Sequence, residues 1–160
     1  EFRRVLFRSE NMIIKGIKNA KITQNIFNLK LPFQLLNADC IASKKHILHA
    51  INQATSKTPI TNNIWMEILV RASAQRQISN AIKTIGAKGE NANICVVCDS
   101  EETFNIILEA VGGTPDNNIL ELRDSKINNI KKIYNIKENE NDKEYIIKRV
   151  CEKISIIEVI

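Results

Sequence analysis

The residues best suited to binding chemistry lie within residues 67–86, where two predicted helices meet at a short Ser/Ala turn. Arg71 closes the first helix, where the negative end of the helix dipole favours a cation. Gln75, Arg76 and Gln77 open the second helix, whose first backbone N–H groups have no partner within the helix and attract anions. Guanidinium groups bind phosphate through paired hydrogen bonds. The pattern therefore predicts a receptor for a phosphate or a nucleotide end, and the alternative is two core helices with solvated arginines.

Net charge limits the kind of nucleic-acid binding that the chain can support. The 160 residues carry 23 Lys and Arg against 18 Asp and Glu, a net charge of +5. Residues 4–9 can be encoded by DNA that looks like a sequencing adapter, so we expect residues 1–11 to be a non-native tail. Met12 then starts a single domain over residues 12–160. Removing residues 1–9, with three Arg and one Glu, leaves 20 basic against 17 acidic residues, or +3. A local patch, and not bulk charge, must therefore carry any binding to nucleic acid.

The cysteines and histidines do not form a convincing chemical site. Cys95 and Cys98 have the spacing of a redox motif, but residues 93–98 form an apolar run that predicts a buried strand. Residues three apart on a strand point to opposite faces, which opposes a shared metal or a redox turn. His46 and His49 lie three apart on a predicted helix, with no third ligand evident nearby. We expect no catalytic residue, metal, cofactor or small-molecule substrate, and four free cysteines indicate a reducing, cytoplasmic setting.

Hydrophobic periodicity predicts a single α+β domain, in which a small mixed or antiparallel sheet of about four strands packs with several helices. No apolar run is long enough to span a membrane. The predicted strands cover residues 12–17, 35–42, 93–98 and 119–122. The predicted helices cover residues 24–33, 44–57, the two segments around the Ser/Ala turn, and residues 99–110, 125–134 and 142–158.

The last predicted helix carries an apolar stripe at helical spacing. Its members are Ile147, Val150, Cys151, Ile154 and Ile157. Additional isoleucines beside the stripe make it wider than one core face requires. The stripe is either a docking face for a partner protein or a part of the core, and both interpretations stay open at this point.

Several segments, taken in order, resemble a known family. They are the stretch at residues 36–42, the following helix with His46, Ala50 and Ala54, residues 65–69, residues 71–78, Ala81-Ile82, Gly86, and residues 127–136. Together they resemble the small kinase-binding subunit of the KEOPS complex, the TPRKB family, in its archaeal form. The resemblance extends from Met12 to the end of the chain.

The resemblance implies a non-catalytic subunit. KEOPS transfers a threonylcarbamoyl group to adenosine 37 of tRNA, and its small subunit binds the complex's kinase/ATPase subunit and helps to recruit tRNA, in archaeal systems through the 3′ CCA end. This implies a tRNA site with a core of Arg71, Ser73, Gln75, Arg76, Gln77 and Ile78 and a rim of His46, Asn52, Lys57 and Lys83. The kinase would then dock on Ile147, Val150, Ile154 and Ile157.

Two other functions remain as alternatives. The first is a protein-interaction regulator of the kinase that does not bind RNA. The second is a small metal-dependent enzyme that uses His46, His49 and the cysteines.

Overall fold

The computed structural model describes residues 12–157, and the predicted tail at residues 1–11 lies outside the described residues. Strands and helices alternate irregularly along this range. In chain order they are β1 (Ile13–Ala20), β2 (Phe33–Asn37), α1 (Lys44–Ser56), α2 (Ile64–Ser73), α3 (Ile78–Ile85), β3 (Ala92–Cys98), α4 (Glu101–Val111), β4 (Thr114–Pro115), α5 (Asp124–Ile133) and α6 (Lys143–Ser155). Within residues 12–157, no helix is long and apolar enough to cross a membrane.

The four strands form one sheet in the order β2-β3-β1-β4, and all neighbouring strands are antiparallel. The register places Ile17 opposite Ile94 across β1 and β3, and Leu36 opposite Cys95 across β2 and β3. This architecture confirms the predicted α+β class and the predicted small sheet of four strands.

The central strand β3 is buried on both faces, as its apolar sequence predicts. Cys95 belongs to the core cluster that includes α1, α2 and α3, whereas Cys98 belongs to the cluster under α4. The two cysteines therefore point to opposite faces, which confirms the prediction from strand geometry. Burial raises the pKa of Cys95 to about 12 and that of Cys98 to about 11, so both remain thiols at neutral pH.

A third core cluster forms where α5 and α6 pack beside the start of α1. Val150 and Ile154 are fully buried in it, and Ile157 is also buried. The docking face predicted on these residues is therefore wrong for Val150 and Ile154. The reason is that the stripe of α6 is covered by α1 and α5 of the same chain. Ile147 is half-buried and reaches the surface.

The predicted strand at residues 119–122 is absent, because a 3-10 helix occupies Asn117–Leu120. The Asp116 side chain accepts the N–H of Asn118 at 3.0 Å and starts this turn. The Asn117 side chain accepts the N–H of Gly16 at 2.9 Å, which supplies a partner to the β1 backbone. Lys126 is buried and donates to the Ile119 carbonyl at 2.6 Å. The fourth strand is instead the short β4.

The strand predicted at residues 35–42 and the helix predicted at residues 24–33 are also shorter than expected. β2 ends at Asn37, whose side chain accepts the N–H of Asp39 at 3.0 Å and opens a 3-10 turn over Ala38–Cys40. The earlier helix is a five-residue 3-10 turn over Gln24–Asn28. In both cases a short local turn replaces the longer regular element that periodicity suggests.

Candidate nucleic-acid interface

The junction between α2 and α3 is a tight turn built by one serine and one left-handed residue. Ala74 has φ 57°, in the left-handed region. The Ser73 hydroxyl donates to the Val70 carbonyl at 2.7 Å and accepts the N–H of Gln75 at 3.1 Å. α3 begins only at Ile78. The prediction that Gln75, Arg76 and Gln77 open the second helix is therefore wrong for Gln75 and Arg76, which lie in the connection before α3, whereas Gln77 is its N-cap residue.

Arg71 does not take the role that the sequence predicted for it. Its side chain is 1 % exposed. Its Nε donates to a Glu67 carboxylate oxygen at 3.2 Å, and its Nη2 donates to the Thr58 carbonyl at 3.0 Å. The guanidinium is inside the protein because the last turns of α2 are covered by α1 and other parts of the core. The prediction that Arg71 binds phosphate directly is therefore wrong, and its role is structural.

Glu67 organises the loop that connects α1 and α2. Its carboxylate accepts the N–H of Ile60 at 2.9 Å and the N–H of Thr61 at 2.7 Å, together with the Thr61 hydroxyl at 2.8 Å. Burial raises the pKa of Glu67, but these hydrogen bonds and the one from Arg71 together lower it by more. The result is a stable carboxylate that holds the loop and pairs with Arg71.

His46 is fully buried, so its predicted place on the rim of an RNA site is also wrong. The Ala42 N–H lies 3.1 Å from Nδ1, and Nε2 lies 2.8 Å from the Ala72 carbonyl. Both ring nitrogens are thus occupied by backbone groups, and burial lowers the pKa of the ring to about 4. The other histidine, His49, contacts the Ser155 hydroxyl at 2.7 Å. In residues 12–157, no group of three or more His, Cys, Asp or Glu side chains is arranged to hold a metal.

The other predicted rim residues occupy different settings. Asn52 on α1 and Lys83 on α3 are exposed. Lys57 is half-buried, and its Nζ donates to the Ser155 carbonyl at 2.9 Å. A cation at that position neutralises the negative end of the α6 dipole. Lys57 therefore acts first as a cap for α6.

The exposed part of the turn continues into α3. Gln77 precedes the helix, and its side-chain oxygen accepts from the Asn80 amide at 3.0 Å instead of capping the helix. The first N–H groups of α3 therefore have no side-chain cap. Ile78 is 42 % exposed and Ile82 is 46 % exposed. This side of the junction offers free backbone donors beside apolar surface.

An open groove of about 310 Å³ runs between this turn and the C-terminal ends of α5 and α6. Arg76 and Lys153 supply two cations, and none of the described residues that line the groove is acidic. Neither cation forms an ion pair with another residue in the described range. The lining residues are Ser73, Ala74, Gln75, Arg76, Ile133, Tyr134, Asn135, Lys153, Ile156 and Ile157.

Six of the ten residues that line this groove are not among the predicted site residues. Tyr134 and Asn135 end α5, and Asn135 has φ 56°, in the left-handed region. The N–H of Ile136 bonds to the Lys131 carbonyl at 2.8 Å, as in a Schellman C-cap. Ile156 follows α6 and is 70 % exposed. In the sequence Ile156 falls inside the helix predicted over residues 142–158, and nothing there placed it beside Arg76.

A second groove of about 480 Å³ lies at the opposite end of α6. Its charged residues have both signs: Lys44, Lys45, Glu121 and Glu144 line it, and Lys45 pairs with Glu144 at 3.9 Å. Ile14, Leu120 and Ile147 supply its apolar surface, and Ser43 and Asn117 complete the lining. The two grooves therefore differ in charge as well as in position.

The protein is similar to known proteins over most of its length. The family described as kinase binding protein CGI-121 matches residues 14–158. The chain belongs to this family. It is also 53 % identical over 148 residues to the Regulatory protein Cgi121 of Methanocaldococcus jannaschii, a match that covers 92 % of this chain and 98 % of that protein. Family membership confirms the resemblance to the small kinase-binding subunit of KEOPS.

Proposed function

We propose that the protein is a non-catalytic regulatory subunit that binds a kinase/ATPase and also binds tRNA by its 3′ CCA end. In this role it supports formation of threonylcarbamoyladenosine at tRNA position 37 by the KEOPS complex. The kinase-binding part is supported by the description of the family, and the regulatory part by the name of the archaeal relative. The RNA-binding part depends on the groove beside the α2–α3 turn.

The observation that carries the RNA proposal is the combination of cations, apolar surface and absence of acids in the 310 Å³ groove. Arg76 and Lys153 are positioned for backbone phosphates, together with the uncapped N–H groups of α3. Ile156 in the groove, and the exposed Ile78 at the adjoining start of α3, offer surfaces on which an unstacked base can rest. A groove of this size suits a single-stranded end better than a duplex. A net charge of +3 without residues 1–9 predicts weak binding by the isolated subunit that decreases with salt.

The predicted site residues take graded roles in this proposal. Gln75 and Arg76 line the groove. Gln77 and Ile78 extend the proposed contact surface beyond the groove, and Asn52 and Lys83 remain at the rim. The buried residues Arg71, Ser73 and His46 support the turn from inside the protein, and Lys57 supports the end of α6.

A charge reversal at Arg76 tests the RNA proposal. Arg76 is exposed and forms no hydrogen bond within the described range, so Arg76→Glu leaves the fold intact and places an acid in the groove. We expect it to abolish binding of intact tRNA in a gel shift at low salt while kinase binding is unchanged. Lys21→Glu is the matched control, because Lys21 is exposed beside the end of α4 and undergoes the same change of charge. Normal tRNA affinity in Arg76→Glu would contradict the proposal.

We place the kinase on the second groove, around Ile147. Apolar residues with lysines and glutamates interspersed around them can form an interface with another protein. Glu121 and Glu144, in contrast, would repel RNA phosphates. Of the stripe first predicted for docking, Ile147 is the residue in this groove.

The kinase surface is tested by Ile147→Glu, with Lys45→Glu as an exposed second variant that does not disturb the core. We expect both to weaken co-purification with the kinase subunit and to leave tRNA binding unchanged. Ile106→Glu serves as the control, since Ile106 is 44 % exposed on α4. Kinase binding that is unaffected by Lys45→Glu and by a folded Ile147→Glu variant would contradict this placement.

A further inference from the structure

Two buried side chains converge on the carbonyl oxygen of Ala72, near the end of α2. The Nε2 of His46 lies 2.8 Å from this oxygen, and the Tyr134 hydroxyl lies 3.2 Å from it. The hydroxyl also lies 2.9 Å from the Cys40 carbonyl. The two rings meet edge to face, with centroids 5.2 Å apart. The last turn of α2 is therefore tied to α1 and to the end of α5 by side-chain donors.

The donor and acceptor roles in this cluster follow from its geometry. The Ala42 N–H can only donate, so the Nδ1 atom that it contacts at 3.1 Å carries no proton. The proton of the neutral ring is therefore on Nε2, which donates to the Ala72 carbonyl. The single hydroxyl proton of Tyr134 is shared between the carbonyls of Cys40 and Ala72. Carbonyls in the last turn of a helix have no hydrogen-bond donor within the helix. For the Ala72 carbonyl, the imidazole of His46 and the hydroxyl of Tyr134 are the donors.

The cluster lies directly behind the groove. Ala72 precedes Ser73, whose hydroxyl holds the N–H of Gln75. Tyr134 belongs both to the cluster and to the lining of the groove. The contacts that hold the end of α2 therefore also fix the Gln75–Arg76 side of the groove relative to the side formed by α5 and α6. A binding site that is displaced by about 0.5 Å or more loses much of its complementarity.

We propose that His46 and Tyr134 are positioning residues for the RNA end. They hold the Ala72 carbonyl and thereby keep Gln75 and Arg76 at the correct distance from Lys153. The inference rests on the proposed function, since it requires that the groove receives the RNA end. The polar atoms of both side chains already have hydrogen-bond partners inside the protein, so neither side chain is expected to form a hydrogen bond with the RNA.

A matched pair of substitutions at His46 isolates the bond to Ala72. In His46→Gln the amide nitrogen can take the place of Nε2 and donate to Ala72, whereas in His46→Asn the amide oxygen can take the place of Nδ1 and accept only from Ala42. Each variant loses one of two buried hydrogen bonds, so we expect similar losses of thermal stability. The binding readout is the ratio of affinities for intact tRNA and for the same tRNA without its 3′ CCA. We expect His46→Gln to retain this ratio and His46→Asn to reduce it about fivefold.

Tyr134→Phe provides a second, milder variant, because it removes only the hydroxyl. We expect it to reduce the same ratio and to increase amide hydrogen exchange in residues 73–77, with no change in the exchange of β3. Tyr145→Phe is the control, since it also removes a hydroxyl bond, to Glu138 at 3.0 Å, near the start of α6. Kinase binding reports any general loss of structure in all four variants.

The outcomes separate this inference from the proposed function. If the unmodified protein binds both tRNAs equally, the proposed function fails and the inference fails with it. If the unmodified protein and His46→Asn show the same preference for intact tRNA, the inference alone is overturned. Equal reductions in His46→Gln and His46→Asn would also overturn it, because the loss would then follow stability and not the bond to Ala72.

Discussion

The segment that first suggested a binding site divides into a buried half and an exposed half. Arg71 and Ser73 are enclosed by the protein, whereas Arg76 and Ile78 are at the surface. Two arginines five positions apart therefore have opposite tasks: Arg71 neutralises a buried carboxylate, and Arg76 remains free for a ligand. The same residue type therefore belongs to the core on one side of the end of α2 and to the exposed surface on the other, where it is available to a ligand.

The largest expected difference between the two halves is in stability. Arg71→Ala leaves the Glu67 carboxylate buried without its charged partner, and we expect it to lower the free energy of unfolding by about 3–5 kcal/mol. Arg76→Ala should change it by about 0.5 kcal/mol or less, because the side chain is exposed and unpaired in the described range. Urea unfolding of both variants measures this difference. Equal losses of unfolding free energy in Arg71→Ala and Arg76→Ala would contradict the division of the segment into a buried and an exposed half.

Acid should weaken the buried half selectively through His46. Its pKa is lowered by burial to about 4, below the ordinary value of 6.5. The stability supplied by the neutral ring is therefore complete above pH 6.5 and is lost as the pH falls from 6.5 towards 4. At pH 5 the expected loss is about 2 kcal/mol relative to pH 7.5.

The control for this pH effect is His46→Gln, which should flatten the dependence between pH 5 and pH 7.5. Glu67 has a lowered pKa and acts in the same direction, but only below the ordinary carboxyl range. A thermal-shift series over this pH range measures both proteins. An unchanged slope in His46→Gln would mean that the histidine does not cause the loss.

The smallest expected effect concerns the residue between the two halves. Ala74 has φ 57°, a conformation that costs an alanine roughly 1 kcal/mol and a glycine almost nothing. Ala74→Gly should therefore raise the melting temperature slightly, by an amount that corresponds to about 0.5–1 kcal/mol. Ala110→Gly in α4 is the matched control and should lower stability by a similar amount. Destabilisation by Ala74→Gly would show that the turn is not strained as described.

The fold was largely predictable where local signals were strong. β3, α1 and the α2–α3 junction follow from apolar periodicity and from turn residues. The ends of β2 and the identity of β4 were not predictable in this way, because the side chains of Asn37 and Asn117 bond to the backbone and replace strand partners. Such side-chain bonds decide where a strand ends without changing the apolar pattern.

The candidate site was predictable only in part. The sequence predicted that residues 75–78 bind an anion, and this stays a prediction, but it did not reveal that α2 is enclosed and that Arg71 and His46 are therefore buried. The opposite wall of the groove, with Lys153 and Ile156, is distant along the chain and is brought there by the packing of α6. Tertiary packing, and not local residue type, determines both of these features.

The most direct test of the central claim compares two ligands on the unmodified protein. Intact tRNA and the same tRNA lacking its 3′ CCA are titrated in gel shifts at low and at moderate salt. If, as proposed, the groove beside Arg76 receives the single-stranded end, we expect binding to the intact tRNA only, weakening as salt increases. Equal binding to the two tRNAs, or no binding to either, would contradict the claim that this groove reads the end of tRNA.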